Sequence, residues 1–192
     1  MIGNDIVDLN LAKTQSNWRR RGYLQKIFTK EEYQQILNSE NRDKMVWLFW
    51  SMKEAAYKAW QRKNKLAPKF NPRSLECYME SINSEKATGK VILEKELFFT
   101  ISYFNFNLIH SLATCQKNEK IIWKSLSSKV DLKQSLLREF AATAGPFSKL
   151  PELKKDRNNI PQLYWNEEAL SYNFSISHHG SFSGFALSLN LS

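Results

Sequence analysis

Cysteine is scarce in this chain. Cys77 and Cys115 are the only two among 192 residues, and they stand far apart with no C-x-x-C spacing. Reduced thiols in a cytoplasmic protein are therefore expected, not a disulfide framework. Long apolar runs are missing too, so no segment is expected to span a bilayer. The opening Met1-Ile2-Gly3-Asn4-Asp5 is not a basic stretch followed by an apolar one, and no signal peptide is expected. There is no low-complexity segment and no fixed-period repeat. Acidic residues are the minority, 19 Asp and Glu against 28 Lys and Arg, for a net charge of +9. That excess favours an anionic partner: nucleic acid, anionic lipid, a phosphorylated ligand or an acidic protein. The basic runs Trp18–Arg21 and Arg62–Lys65 come without a nucleic-acid-binding motif, so a nucleotide phosphate or an acidic protein helix suits them better.

Apolar residues make up 42% and aromatic residues 13%, enough for a packed globule of one domain or two small halves sharing a core. The chain is organised around Trp50-Ser51-Met52-Lys53-Glu54-Ala55-Ala56-Tyr57-Lys58-Ala59-Trp60, inside a helix predicted over 41–61. Asn41 can cap its start, and Asp43 lies in the first turn, where a carboxylate suits the helix dipole. Met45, Leu48, Met52, Ala55 and Ala59 recur at helical spacing as an apolar stripe. Trp50, Glu54, Tyr57 and Lys58 fall on the opposite face, with Lys53 beside it. The plain reading of Glu54 and Lys58 is a solvated i, i+4 pair worth about 0.3–0.5 kcal/mol.

Ahead of that helix, residues 2–9 read as a strand interrupted by Asp5 and Asp8. A carboxylate inside an apolar strand costs free energy unless it is paired or bound to a metal. Thr29-Lys30-Glu31-Glu32 is a capping box that starts a short helix. Strands are predicted at 75–79, 88–93, 97–104 and 107–115, the last two joined by a turn at Asn105-Phe106, giving an antiparallel sheet packed on the central helix. Ile121-Ile122-Trp123 is one more short strand, and 125–130 reads as a loop. Asp131 caps a second helix carrying Leu132, Leu136, Leu137 and Phe140, stopped by Gly145-Pro146. Residues 149–159 read as a charged loop and 161–165 as an edge strand. Residues 172–178 and 182–191 form a closing hairpin around His179-Gly180-Ser181. His178 and His179 point to opposite sides of a strand, so they are neither a metal pair nor, with Ser177, a catalytic dyad. A structural or solvated role is expected for His179.

Three motifs stand in order: Gly3-Asn4-Asp5-Ile6-Val7-Asp8, then Trp50-Ser51-x-Lys53-Glu54-Ala55-x-x-Lys58-Ala59, then Phe174-Ser175-Ile176-Ser177-His178. Together they resemble the 4′-phosphopantetheinyl transferase superfamily, whose signatures are a strand with G-x-D, a helix with W-x-x-K-E-A-x-x-K and an S-H at a strand end. The resemblance implies transfer of phosphopantetheine from coenzyme A to a serine of an apo acyl or peptidyl carrier protein, an acidic partner, leaving adenosine 3′,5′-bisphosphate. Such carriers serve fatty acid, polyketide or peptide-synthetase pathways. It further implies that Asp5 and Glu54 hold Mg²⁺, that Lys53 and Lys58 contact phosphates, and that Glu54 accepts the serine proton. Ser177 and His178 would bind the nucleotide end of coenzyme A. Neither nucleic acid nor membrane is an expected partner. The alternative is a coenzyme A or carrier-protein binder of the same fold that has lost turnover.

The chain departs from the family pattern in places. Asp5-Ile6-Val7-Asp8 matches the D-I-V-E of the shorter, holo-acyl-carrier-protein-synthase type with Asp for Glu, and Asp8 is an outer-shell group there. The glycines common after the central helix are replaced by 61–66. In the longer, surfactin type the S-H half precedes the K-E half, and here the order is reversed. The expected fold is therefore α+β: two similar halves of antiparallel sheet and packed helix, 1–116 and 117–192, related by a pseudo-twofold and circularly permuted relative to the surfactin type. A monomer acting as a pseudo-dimer follows, with the active site in the cleft between halves. The rival arrangement is a short-type unit with a long insertion, assembling as a trimer.

Overall fold

The computed structural model describes residues 1–145 and 149–189. The elements in order are β1 (Ile2–Asp8), α1 (Leu9–Gln15), α2 (Tyr23–Ile27), α3 (Lys30–Asn38), α4 (Arg42–Asn64), a 3-10 turn (Pro72–Ser74), β2 (Glu76–Ile82), β3 (Lys86–Leu93), β4 (Glu96–Asn105), β5 (Leu108–Thr114), β6 (Ile121–Ser127), α5 (Leu132–Ala144), β7 (Glu152–Lys155), β8 (Pro161–Trp165), β9 (Glu168–Ala169), β10 (Phe174–His179) and β11 (Phe182–Ser188). The fold is α+β with every strand pairing antiparallel. One sheet has the order β1-β5-β4-β3-β2, a second β10-β11-β6 and a third β7-β8-β9.

Helix α4 carries the first sheet. Asn41 caps it by accepting from the Lys44 N–H, and Lys65 closes it in the left-handed region at φ 51°. Of the expected stripe, Leu48, Met52, Ala55 and Ala59 are buried and Met45 is half-buried, but the helix is not two-faced. Val46, Trp47, Phe49, Ala56 and Tyr57 are buried as well. Tyr57, expected on the outer face, packs on Phe70 at 5.0 Å between ring centroids. Helix α3 starts at the expected capping box: the Glu32 N–H donates to Thr29 and the Thr29 N–H donates to Glu32. Helix α5 starts at Asp131 and buries Leu136, Leu137 and Phe140 against Phe174, Phe185 and Leu187.

Several boundaries differ from the sequence reading. The β4–β5 turn is at Phe106-Asn107, one residue on, with Phe106 at φ 40°. Ser125 to Ser127 belong to β6, not to a loop, because they pair with Gly184, Ser183 and Phe182 of β11. The charged stretch 149–159 contains β7, and β8 is the middle strand of its sheet, not an edge. Gly145 follows α5, while Pro146 and Leu191 lie outside the described residues. Cys77 and Cys115 are free, and among the described residues no helix is long and apolar enough to cross a membrane.

Strand β1 is where the two main sheets meet. It is buried along its whole length. Gly3 lies against α4 so closely that a Cβ there would stand 2.0 Å from the Ala55 carbonyl oxygen and 2.6 Å from the Ala59 nitrogen. Only glycine permits this approach of strand and helix backbones. Within its own sheet β1 pairs with β5 alone, so one row of its polar backbone groups needs other partners. Strand β10 supplies them: the Asn4 N–H donates to Ser175 Oγ at 2.9 Å and the Asp8 N–H to His179 Nδ1 at 2.9 Å.

Candidate active site

Alternation along β1 sends Gly3 and Asp5 toward α4 and Asn4 and Asp8 toward β10 and β11. Asp5 thereby reaches the polar turn of α4. Lys58 Nζ stands 3.0 Å from Asp5 Oδ1, 3.6 Å from Glu54 Oε2 and 3.0 Å from the Asn4 carbonyl oxygen, to which it donates. Asp5 is buried, and the Glu54 and Lys58 side chains are 27% and 23% exposed. The cluster is thus partly open to solvent.

Burial is the main reason the Glu54 carboxyl is pushed up to about 7; the Asp5 charge adds to it, and Lys58 opposes both. The protonated form of Glu54 donates to Asp5. Two carboxylates this close, with one ammonium between them, leave a site short of positive charge. Among the described residues no group of three or more His, Cys, Asp and Glu side chains is placed to hold a metal. Mg²⁺ does not ask for that many: it is commonly held by one or two carboxylates, with phosphates and waters filling its octahedron. Asp5 and Glu54 fit that donor set, and a divalent cation would relieve the repulsion that raises Glu54.

Lys53 does not join them. It is fully buried, 2.7 Å from Glu32, and its ammonium donates to the carbonyl oxygens of Ile27, Pro72 and Leu75. The expectation that it contacts phosphates is corrected on this ground: four acceptors inside the protein hold it away from solvent.

Ser177 and His178 separate as strand neighbours must. Ser177 is buried and accepts from Asn4 Nδ2 at 3.2 Å, so its hydroxyl serves the junction between sheets and not an open ligand site. His178 is exposed, and its side chain hydrogen-bonds no described residue. His179 has the expected structural role. Its Nδ1 accepts from Asp8, which leaves the proton on Nε2, donated to Gln15 Oε1 at 2.9 Å. Asp8 is likewise structural. Burial raises its carboxyl, but N–H donation from Ser181, Leu11 and Asn10 outweighs this and holds it below the usual range. It caps α1 and clamps the β10–β11 turn at Gly180, where φ is +57° and a Cβ would stand 2.5 Å from Asp8 Oδ2.

A polar network behind the site escaped the sequence reading. Asn4 Nδ2 donates to His110 Nε2 at 3.0 Å, and His110 Nδ1 therefore carries the proton, donated to Ser125 Oγ at 2.9 Å. Burial first, and Lys58 second, lower the His110 pKa to about 3, so the ring is neutral. The signal available was a histidine at the third place of a wholly buried strand paired with the G-x-D strand.

The model of the 4′-phosphopantetheinyl transferase superfamily matches residues 1–115. No curated protein sequence matches significantly. Among solved structures, the holo-[acyl-carrier-protein] synthase of Thermotoga maritima is similar at 14% identity and a TM-score of 0.44, covering 83% of each chain.

Proposed function

Since the chain belongs to the 4′-phosphopantetheinyl transferase superfamily, we propose that it moves phosphopantetheine from coenzyme A to a serine of an apo acyl or peptidyl carrier protein. The observation that carries this is the meeting of Asp5 from β1 with Glu54 and Lys58 from α4, within 3.0 and 3.6 Å of the Lys58 ammonium. Asp5 and Glu54 would hold Mg²⁺, which supplies charge neutralisation on the diphosphate when bound.

The chain's own residues do the rest. Lys58 binds a diphosphate oxygen as a point charge while Asn4 and Asp5 hold it in place. Glu54, which would be deprotonated with the cation beside it, is the group placed to accept the serine proton. The serine oxygen attacks the phosphorus that bears pantetheine. The bond from that phosphorus to the bridging oxygen breaks, and its electron pair leaves on adenosine 3′,5′-bisphosphate. The exposed, unbonded His178 is the group we assign to the nucleotide end. The net charge of +9 suits an acidic carrier.

Intact-protein mass spectrometry of an apo acyl carrier protein, incubated with coenzyme A and Mg²⁺, tests this. The expected result is a phosphopantetheine-sized mass gain that needs Mg²⁺ and disappears in an Asp5→Ala, Glu54→Ala double variant. No gain with fatty-acid, polyketide or peptidyl carriers, despite coenzyme A binding, would overturn it in favour of an inactive binder.

A further inference from the structure

Arg62 lies one helical turn beyond Lys58, about 6 Å along α4, on the same face as Glu54 and Lys58. Its guanidinium folds back over that turn, and Nη1 donates to the Lys58 carbonyl oxygen at 3.1 Å. The Nε is sealed from solvent with no acceptor, and among the described residues no carboxylate pairs with the group. Burial alone lowers its pKa to about 10, which leaves it charged at neutrality. A half-buried charge whose Nε is sealed and which lacks a counter-ion is costly unless a ligand supplies one.

There is room for that ligand. Arg62 and Lys65 line a cavity of about 320 Å³ whose far wall is Gln162, Asn173 and Phe174 from the second half of the chain. Asp156 also lines it, but Asp156 Oδ1 is engaged by the N–H groups of Asn158 and Ile160 in its own turn. The cavity thus begins one turn from the Asp5–Glu54–Lys58 cluster and is lined by two cations, Arg62 and Lys65, against the single carboxylate of Asp156.

We propose that Arg62 is a second phosphoryl-binding residue of this site and takes an oxygen of the phosphoryl group that is transferred. This rests on the transferase reading. Negative charge spreads over the equatorial oxygens of that group as the serine oxygen approaches and the bridging oxygen departs. A half-buried guanidinium, its geometry fixed beforehand by the Lys58 carbonyl, is well suited to meet that charge.

The test uses inorganic pyrophosphate as the probe, with Mg²⁺, on the full chain, and reads both affinity and the melting midpoint. Wild type is expected to bind it and to melt higher in its presence. Arg62→Met is expected to lose at least about tenfold in pyrophosphate affinity and about a hundredfold in the rate of carrier modification. Its midpoint without ligand should stay at or above that of wild type, because an unpaired half-buried charge is gone. Arg62→Lys, which keeps the charge but not the fork, should recover part of both losses. Unchanged pyrophosphate affinity in Arg62→Met overturns the proposal, whatever its activity. Arg62-dependent pyrophosphate binding in a chain that modifies no carrier upholds the anion site and overturns the transferase reading alone.

Discussion

Lys53 and Glu32 form a fully buried ion pair, 2.7 Å apart, between two helices of the first half. Glu32 also accepts from the backbone N–H groups of Thr29 and Cys77, and Lys53 donates to three carbonyl oxygens. The pair therefore ties the start of α3, the end of α2, the 3-10 turn and the entry to β2 onto α4. It fixes the wall from which Glu54, the next residue, projects. Lys53→Met leaves the Glu32 charge buried and uncompensated, and should cost about 3–5 kcal/mol in urea unfolding. Adding Glu32→Leu to that variant should return part of the loss, since a well-packed apolar pair often replaces a buried ion pair at little cost.

The same pair shows where the sequence stops being legible. The helix of Lys53, its cap at Asn41 and the capping box at Thr29 follow from local patterns within a few residues. Helical phase alone puts Lys53 beside Glu54 and Lys58. It is drawn inward by acceptors at Ile27, Pro72 and Leu75, whose convergence is a property of the folded chain. The same holds for Asn4, His110 and Ser125, which lie in three different strands and meet only when β1, β5 and β6 come together. Strand β7 was hidden because its residues, Glu152-Leu153-Lys154-Lys155, have a loop's composition and become a strand only by pairing with β8. The pairing of Asp5 with Glu54 and Lys58, by contrast, was legible, since motif residues of one family carry it.

Gly3→Ala should separate β1 from α4. Its Cβ would fall 2.0 Å from the Ala55 carbonyl oxygen, a backbone atom that no rotamer change can move aside. Overpacking of this kind costs about 1–3 kcal/mol, and more where backbone meets backbone. Thermal unfolding reads that loss. Because Asp5 lies two residues on, carrier modification by the fraction still folded should fall as well.

Charges around Glu54 should move its pKa in opposite directions. Lys58→Met removes the one nearby cation that lowers it, so Glu54 should titrate above about 7. Asp5→Asn removes a charge that raises it, so Glu54 should titrate lower, but still above the ordinary carboxylate range because burial, the largest cause, remains. Carbon-detected NMR titration of the glutamate carboxyl signals distinguishes these outcomes. Mg²⁺ bound by the two carboxylates should lower the value further in wild type and have little effect in Asp5→Asn.

Two groups, half-buried Glu54 and buried His110, give the metal-free protein opposing pH dependences. Glu54 has a folded pKa raised from 4.5 to about 7, so its contribution is present below pH 4.5 and is lost as pH rises through about 7. His110 has a folded pKa lowered from 6.5 to about 3, so its contribution is present above pH 6.5 and is lost as pH falls through about 3. Between pH 4.5 and 6.5 the two slopes, each of about 1.4 kcal/mol per pH unit, run against each other. Their joint contribution to stability should be nearly flat across that window. Glu54→Gln removes one slope, and the variant should lose stability steadily on acidification from pH 6.5 to 4.5. His110→Gln removes the other, and that variant should gain stability over the same range. Urea unfolding of the three proteins at half-unit pH steps, without Mg²⁺, separates the terms. Parallel curves for wild type and Glu54→Gln would mean that the Glu54 carboxyl titrates alike in the folded and unfolded chains, and would overturn the raised value.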